Sequence, residues 1–213
     1  MTDPAGFVRA NTAVAAPPLV PELRLHLATE VTPLWEATEE TLARTGLPPP
    51  YWAFAWAGGQ ALARYLLDRP ATVAGRRVLD FGAGSGLVAI AAARCGAIAT
   101  AAEIDPFAAA AIRLNAALNG VAVEIEGRDV IGSALSSDVV LAGDMCYERP
   151  LAERLTTWLR GLVAQGATVL LGDPGRTYFP AGGVERLALY TVPTSRELED
   201  RDSRDGGVWR LLP

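Results

Sequence analysis

The stretch Val78-Leu-Asp-Phe-Gly-Ala-Gly-Ser-Gly86 constrains the fold of this chain more than any other segment. Val78, Leu79 and Phe81 are apolar and strand-prone, and Gly82, Gly84 and Gly86 then recur at every second position. Glycine tolerates positive φ and has no Cβ, so a backbone built this way can turn sharply and approach a ligand closely. The segment therefore reads as a strand, a tight turn and a helix start. A dinucleotide turn spaces its glycines G-x-G-x-x-G, which brings a pyrophosphate onto the helix dipole. Here the spacing is G-x-G-x-G, Leu87 follows, and Asp80 stands two residues ahead of the first glycine. An acid in that place suits a ligand carrying an ammonium group better than one carrying phosphates, which disfavours NAD.

The chain around this turn alternates. Arg77 to Phe81, Ile98 to Glu103, Val121 to Glu126, Asp138 to Ala142 and Thr168 to Gly172 read as strands. Leu87 to Cys95, Phe107 to Leu118 and Leu151 to Ala164 read as helices between them. Such βα punctuation implies a parallel sheet with helices on both faces. Val184 to Val192 and Val208 to Leu212, separated by the polar run Arg196 to Gly207, read as an antiparallel C-terminal hairpin. Before the turn, Leu23, Leu27, Val31, Leu34 and Trp35 recur near helical spacing from Pro21 to Thr45, until Gly46-Leu-Pro-Pro-Pro50 stops the run. An aromatic segment, Tyr51-Trp-Ala-Phe-Ala-Trp56, and a helix from Gly58-Gly59 to Leu66 follow. The expected organisation is α/β: a flexible stretch over residues 1–20, then one domain over 21–213 with a helical cap at 21–70 and a seven-strand core at 71–213.

Composition narrows the function. A chain of 213 residues, half of them hydrophobic, buries a full core in a single domain. The formal charge of -5 argues against gripping a phosphate backbone, so no nucleic-acid partner is expected. All 19 basic residues are arginines. Cys95 and Cys146 form neither a disulfide framework nor a zinc pattern, and no metal is expected. The first 21 residues lack the basic start and apolar core of a signal peptide, and Arg94 and Gly96 break the apolar stretch from Leu87 to Ala102. A cytoplasmic monomer, away from membranes, is the expectation.

Side chains at the carboxyl ends of the strands are the candidate site, because open parallel sheets bind ligands there. Glu103 ends the second core strand, ~20 residues beyond the turn, where a carboxylate accepts both hydroxyls of a ribose. Asp129 ends the third, near the place of a base. Gly143-Asp-Met-Cys-Tyr147 follows the fourth, directing Asp144 and Tyr147 at the bound ligand. Trp56 and Gln60 precede the first core strand and are placed to close over it; a buried aromatic of the cap explains Trp56 equally well. His26 reads as a packing or surface residue, and Cys146 has no histidine partner that would make it a nucleophile.

Three segments together resemble the seven-strand protein lysine methyltransferases. They are Pro49 to Asp68 with its Trp-Ala-Gly-Gly-Gln run, Val78 to Gly86 with Glu103-Ile-Asp-Pro106, and Gly143-Asp-Met-Cys-Tyr-Glu148. The greatest similarity is to the group that modifies the β subunit of electron transfer flavoprotein. The resemblance implies a Rossmann-like class I methyltransferase sheet, S-adenosylmethionine as cofactor and a lysine of that flavoprotein subunit as acceptor. It implies that Trp56, Gln60, Asp80, Gly82, Gly84, Gly86, Glu103, Asp129 and Asp144 hold the cofactor and that Asp144 and Tyr147 meet the lysine. Ala57 stands where a proline is common, and Glu103 and Glu148 where aspartates are common. Methyl transfer is an in-line displacement needing a neutral amine held ~3 to 3.5 Å from the carbon. Lysine ionises near ~10.4 in water, so Asp144 is expected to capture and orient the ammonium, with proton loss to water. Other acceptors compatible with the residues are a ribosomal-protein lysine or a small amine such as a pyridine; a non-catalytic cofactor-binding module is the remaining alternative.

Overall fold

In the computed structural model, residues 3–29, 34, 49–194 and 202–213 are described. The apolar runs form strands β3 (Arg77–Phe81), β4 (Ile98–Ala102), β5 (Glu124–Glu126), β6 (Val139–Gly143) and β7 (Thr168–Asp173), followed by β8 (Val184–Pro193) and β9 (Ser203–Leu211). They build one seven-stranded sheet in the order β5-β4-β3-β6-β7-β9-β8, parallel except where β9 pairs antiparallel with β7 and β8. Central strands covered on both faces must be apolar on both, and Val78 to Phe81 and Val139 to Ala142 are buried throughout. The chain leaves β3 towards β4 and β5 on one side, then returns to place β6 and β7 on the other. This reversal opens a crevice between the carboxyl ends of β3 and β6, the usual ligand position in an open α/β sheet.

Helices α2 (Ala57–Asp68), α3 (Leu87–Arg94) and α4 (Pro106–Leu118) share one face of the sheet, and α5 (Arg149–Ala164) covers the other. Alanine allows close helix-on-sheet packing, and Ala89, Ala101 and Ile112 meet in one cluster. On the opposite face Leu155, Trp158, Leu159 and Leu162 of α5 pack on Leu79, Phe81, Val140 and Val169. Among the described residues no helix is long and apolar enough to cross a membrane. Both cysteines are free thiols.

The N-terminal expectations are corrected. Residues within 1–20 are not a flexible lead-in: Pro4–Asn11 forms α1, capped by Asp3, with Val8 buried against α4 and the Phe7 and Phe107 rings 4.9 Å apart. Nor is the segment from Pro21 to Thr29 helical, although Leu34 is. Ala13–Ala15 (β1) and Leu25–Leu27 (β2) pair antiparallel, because Leu23, Leu25 and Leu27 point inward at strand spacing. The remainder of the expected cap helix, at 30–33 and 35–45, lies outside the described residues. The last strand begins at Ser203, well before the expected Val208. Gly206 and Gly207 broke the strand pattern there, and the fold needs one of them: a Cβ on Gly206 would stand 2.7 Å from the Ala61 Cβ of α2.

Candidate functional site

At the end of β3 the three glycines take left-handed φ of 64°, 79° and 52° at Gly82, Gly86 and Gly84 respectively, a conformation that side-chain-bearing residues rarely adopt. Gly86 is the N-cap of α3 and has no side chain to cap with. Asp80 supplies it from the strand: its Oδ2 accepts from the Ala89 amide at 2.9 Å. This carboxylate is 2% exposed, and burial pushes its pKa up to about 7 against the opposing Ala89 bond. Asp80 was expected to face a ligand ammonium; it is instead turned into the helix start. Glu103 follows β4, with Oε2 accepting from Gly84 N at 3.0 Å and Oε1 from Asp105 N at 3.0 Å. Asp105 in turn caps α4 through the Phe107 amide.

Across the crevice, α2 lies directly on the backbone of β6 and β7. A Cβ on Gly58 would collide with the Gly172 carbonyl, one on Gly172 with the Gly58 carbonyl, and one on Gly143 would stand 2.9 Å from the Gly59 Cα. This approach carries the N-terminus of α2 onto Asp144. The Asp144 Oδ2 accepts from Gly59 N at 2.7 Å, and its Oδ1 accepts from Nη2 and Nε of Arg176 at 2.8 and 3.2 Å. Its backbone holds φ 60°, alone in the left-handed region among described non-glycine residues, and its amide donates to the Gly172 carbonyl. At 7% exposure, burial raises the Asp144 pKa while Arg176 and the α2 amides oppose the rise. Asp144 was expected to capture an incoming ammonium; its oxygens are instead committed to Arg176 and to a helix terminus that favours negative charge.

Tyr147, three residues on, is 46% exposed at the rim. Its ring lies 5.8 Å from that of Tyr51, which lies 6.2 Å from that of Trp56. Trp56 donates its indole N–H to the Tyr51 carbonyl, and the Arg176 guanidinium sits 5.7 Å over its ring. Desolvation raises the Tyr147 hydroxyl pKa. Burial, aided by the charges of Asp173 and Asp144, lifts Cys146 to about 12 and leaves it a thiol. Two expected residues sit apart from this group. Gln60 is buried with its amide spent on the Leu19 N–H and the Ala55 carbonyl. Asp129 is exposed, accepting from the Ile131 amide and from Arg154.

Asp173 and Arg176 were missed at the level of sequence. Asp173 ends β7 as Asp80 stands at the penultimate position of β3, so the rule of acids at carboxyl ends of parallel strands would have found it. It is 3% exposed; Oδ1 accepts from Gly175 N and Arg176 N at 2.7 Å each, and Oδ2 has no hydrogen-bond partner. Burial raises its pKa to about 6. Beside it, Cys146, Thr156 and Phe179 line a cavity with room for about one water molecule.

The chain matches the family model of ribosomal protein L11 methyltransferase (PrmA) over residues 61–170. It is 40% identical over 220 residues to the electron transfer flavoprotein beta subunit lysine methyltransferase of Xenopus laevis, covering 100% of this chain and 88% of the relative. The Danio rerio and human proteins of that name are 40% and 37% identical, over 98% and 97% of this chain and 83% and 81% of theirs. Two solved structures share the fold. Ribosomal protein L11 methylase from Lactobacillus delbrueckii subsp. bulgaricus has a TM-score of 0.52 at 22% identity, covering 75% of this chain and 80% of that one. Magnesium protoporphyrin IX methyltransferase from Synechocystis PCC 6803, with bound S-adenosylmethionine, has 0.54 at 16% identity, covering 73% and 80%. The chain thus belongs to the electron transfer flavoprotein β-subunit lysine methyltransferases, within the PrmA-type methyltransferases.

Proposed function

We propose that this protein transfers methyl groups from S-adenosylmethionine to lysine side chains of the electron transfer flavoprotein β subunit. The substrate name comes from the relatives; the observation of this chain that carries the reading is the aromatic rim of Tyr51, Trp56 and Tyr147, at the same end of the sheet as the glycine turn. The residues present fit the cofactor. Two of the roughly four acceptor positions on the Glu103 carboxylate are filled by backbone amides. The remaining two suit a ribose diol, with Gly84 leaving the backbone bare beside it, while the Met145 thioether packs on Gly82. Asp129, held by Arg154, is the candidate for the adenine end. When bound, the cofactor supplies an electrophilic methyl group on a sulfonium.

The chain's own groups prepare the amine. Aromatic walls remove water from the lysine stem, and desolvation lowers an ammonium pKa. A bare carboxylate would raise it again. Arg176 neutralises Asp144, so this carboxylate does not hold the proton on the amine. Half-exposed Tyr51 and Tyr147 leave a path to solvent for that proton.

Incubating the protein with labelled cofactor and purified flavoprotein, then reading intact mass, tests the assignment. Mass steps of one methylene on the β subunit are expected, and an unmodified subunit overturns it. The match to the PrmA family model favours ribosomal protein L11 as the second acceptor to include in competition.

A further inference from the structure

We propose that Arg176 is the positioning residue of the acceptor side, presented by Asp173 and paired with Asp144 so that the Gly143–Tyr147 turn holds Tyr147 in place. The inference rests on the methyl-transfer reading and assigns work to residues after β7.

Three constraints make the presenting turn rigid. Asp173 Oδ1 accepts from two consecutive amides, Gly175 and Arg176. Pro174 fixes its own φ. Gly175 supplies φ 89°, which a side chain would resist. The guanidinium is thereby delivered to Asp144, where two N–H groups converge on Oδ1, and lies over Trp56. Asp144 itself holds a left-handed backbone, unfavourable for an L-residue. Four bonds maintain it: one from its amide to Gly172, one from Gly59 to Oδ2, and two from Arg176 to Oδ1. Removing the arginine leaves a buried carboxylate uncompensated, which is more damaging than never having had the pair. The turn that carries Tyr147 then loses its fixed end.

Arg176→Ala and Arg176→Lys are compared with the wild type for kcat, for KM of the flavoprotein β subunit and for calorimetric affinity for S-adenosylhomocysteine. Their pH profiles and hydrogen exchange in peptides spanning Gly143–Glu148 are compared too. A displacement of about 1 Å is worth ~100-fold in rate, so kcat of Arg176→Ala should fall by about that factor with inhibitor affinity nearly kept. Its activity should also be lost at higher pH on the acid side. Burial already raises the Asp144 pKa, the missing cation raises it further, and the ionised form is the one that grips Gly59. Exchange should quicken at Gly143–Glu148 and not at Asp80–Gly86. Arg176→Lys keeps charge without the planar fork and should lie between; it is the deciding variant if Arg176→Ala does not fold. Wild-type kcat in either variant, or a fall in melting temperature and kcat with no shift of the acid limb, overturns the proposal. Exchange needs no acceptor, so an unmethylated β subunit with quickened exchange would sink the substrate reading and leave this one standing.

Discussion

A carboxylate at the carboxyl end of a buried strand can face a ligand or turn inward to a helix start, and Asp80 takes the second course. Its residue type and place were legible in the sequence. Its direction was not, because direction depends on Gly86 having no side chain with which to cap α3. The same holds at Asp144, whose partner Arg176 is 32 residues away. Glu103, just past the end of β4, stands where the sequence placed it, with its oxygens on the Gly84 and Asp105 amides. The inward course has a pH consequence. The folded Asp80 pKa, about 7, lies above its ordinary 3.8, so the native state holds this proton more tightly than the unfolded chain. Stability from this group is therefore highest below pH ~4 and declines as pH rises towards ~7. At ~1.4 kcal/mol per unit the ceiling is on the order of 4 kcal/mol. Asp80→Asn keeps an acceptor for Ala89 and cannot ionise. Its melting temperature, relative to wild type at each pH, should climb by several degrees between pH 5 and 8. A constant difference across that range would show that Asp80 does not titrate there.

Element by element, the core strands and helices were readable because buried parallel strands are continuous apolar runs between glycine and proline punctuation. The N-terminal segment misled because Leu23 and Leu27 satisfy helical spacing as well as strand spacing. Leu25 between them, fully buried, decides for the strand. What then satisfies the backbone of β2 comes from α4. Asn115 Oδ1 accepts from His26 N at 2.7 Å, while Asn119 accepts from Arg24 N and donates to the Arg24 carbonyl. Two asparagines one helical turn apart thus extend the edge of β2 in place of another strand. Asn115 also donates to the Ser85 carbonyl inside the glycine turn, tying the N-terminal hairpin to the cofactor side. Asn115→Ala leaves His26 N–H and the Ser85 carbonyl without these partners at a fully buried position. At ~1 to 3 kcal/mol for each stranded group, a loss of ~2 to 6 kcal/mol is expected in urea unfolding. Calorimetric affinity for S-adenosylhomocysteine should fall as well. Reduced stability with unchanged affinity would separate the hairpin from the turn.

At the scale of the whole molecule, order in sequence and order in space part company at the C-terminus. The last strand, β9, is not an edge: it lies between β7 and β8, and β8 pairs with nothing else in the sheet. Its Val208 and Leu211 are buried, Trp209 packs 5.3 Å from Phe179, and Gly206 sits under Ala57 and Ala61 of α2. Deleting residues 203–213 would therefore strip one side of β7, release β8 and uncover α2. Two buried side chains at ~1.5 to 3 kcal/mol each, together with two hydrogen-bonded ladders, already rival a typical total stability of ~5 to 15 kcal/mol. The truncated chain should lose its cooperative melt and its near-ultraviolet circular dichroism, and it should bind a hydrophobic dye. Deleting residues 1–16 removes only α1 from α4 and β1 from β2, so that chain should still melt cooperatively at a lower temperature. A cooperative melt after the C-terminal deletion would mean that β3 to β7 with their helices hold the site without β9. In that case the close approach of Gly58 to Gly172 and of Gly59 to Gly143, with the Gly59–Asp144 bond, would keep α2 over Asp144.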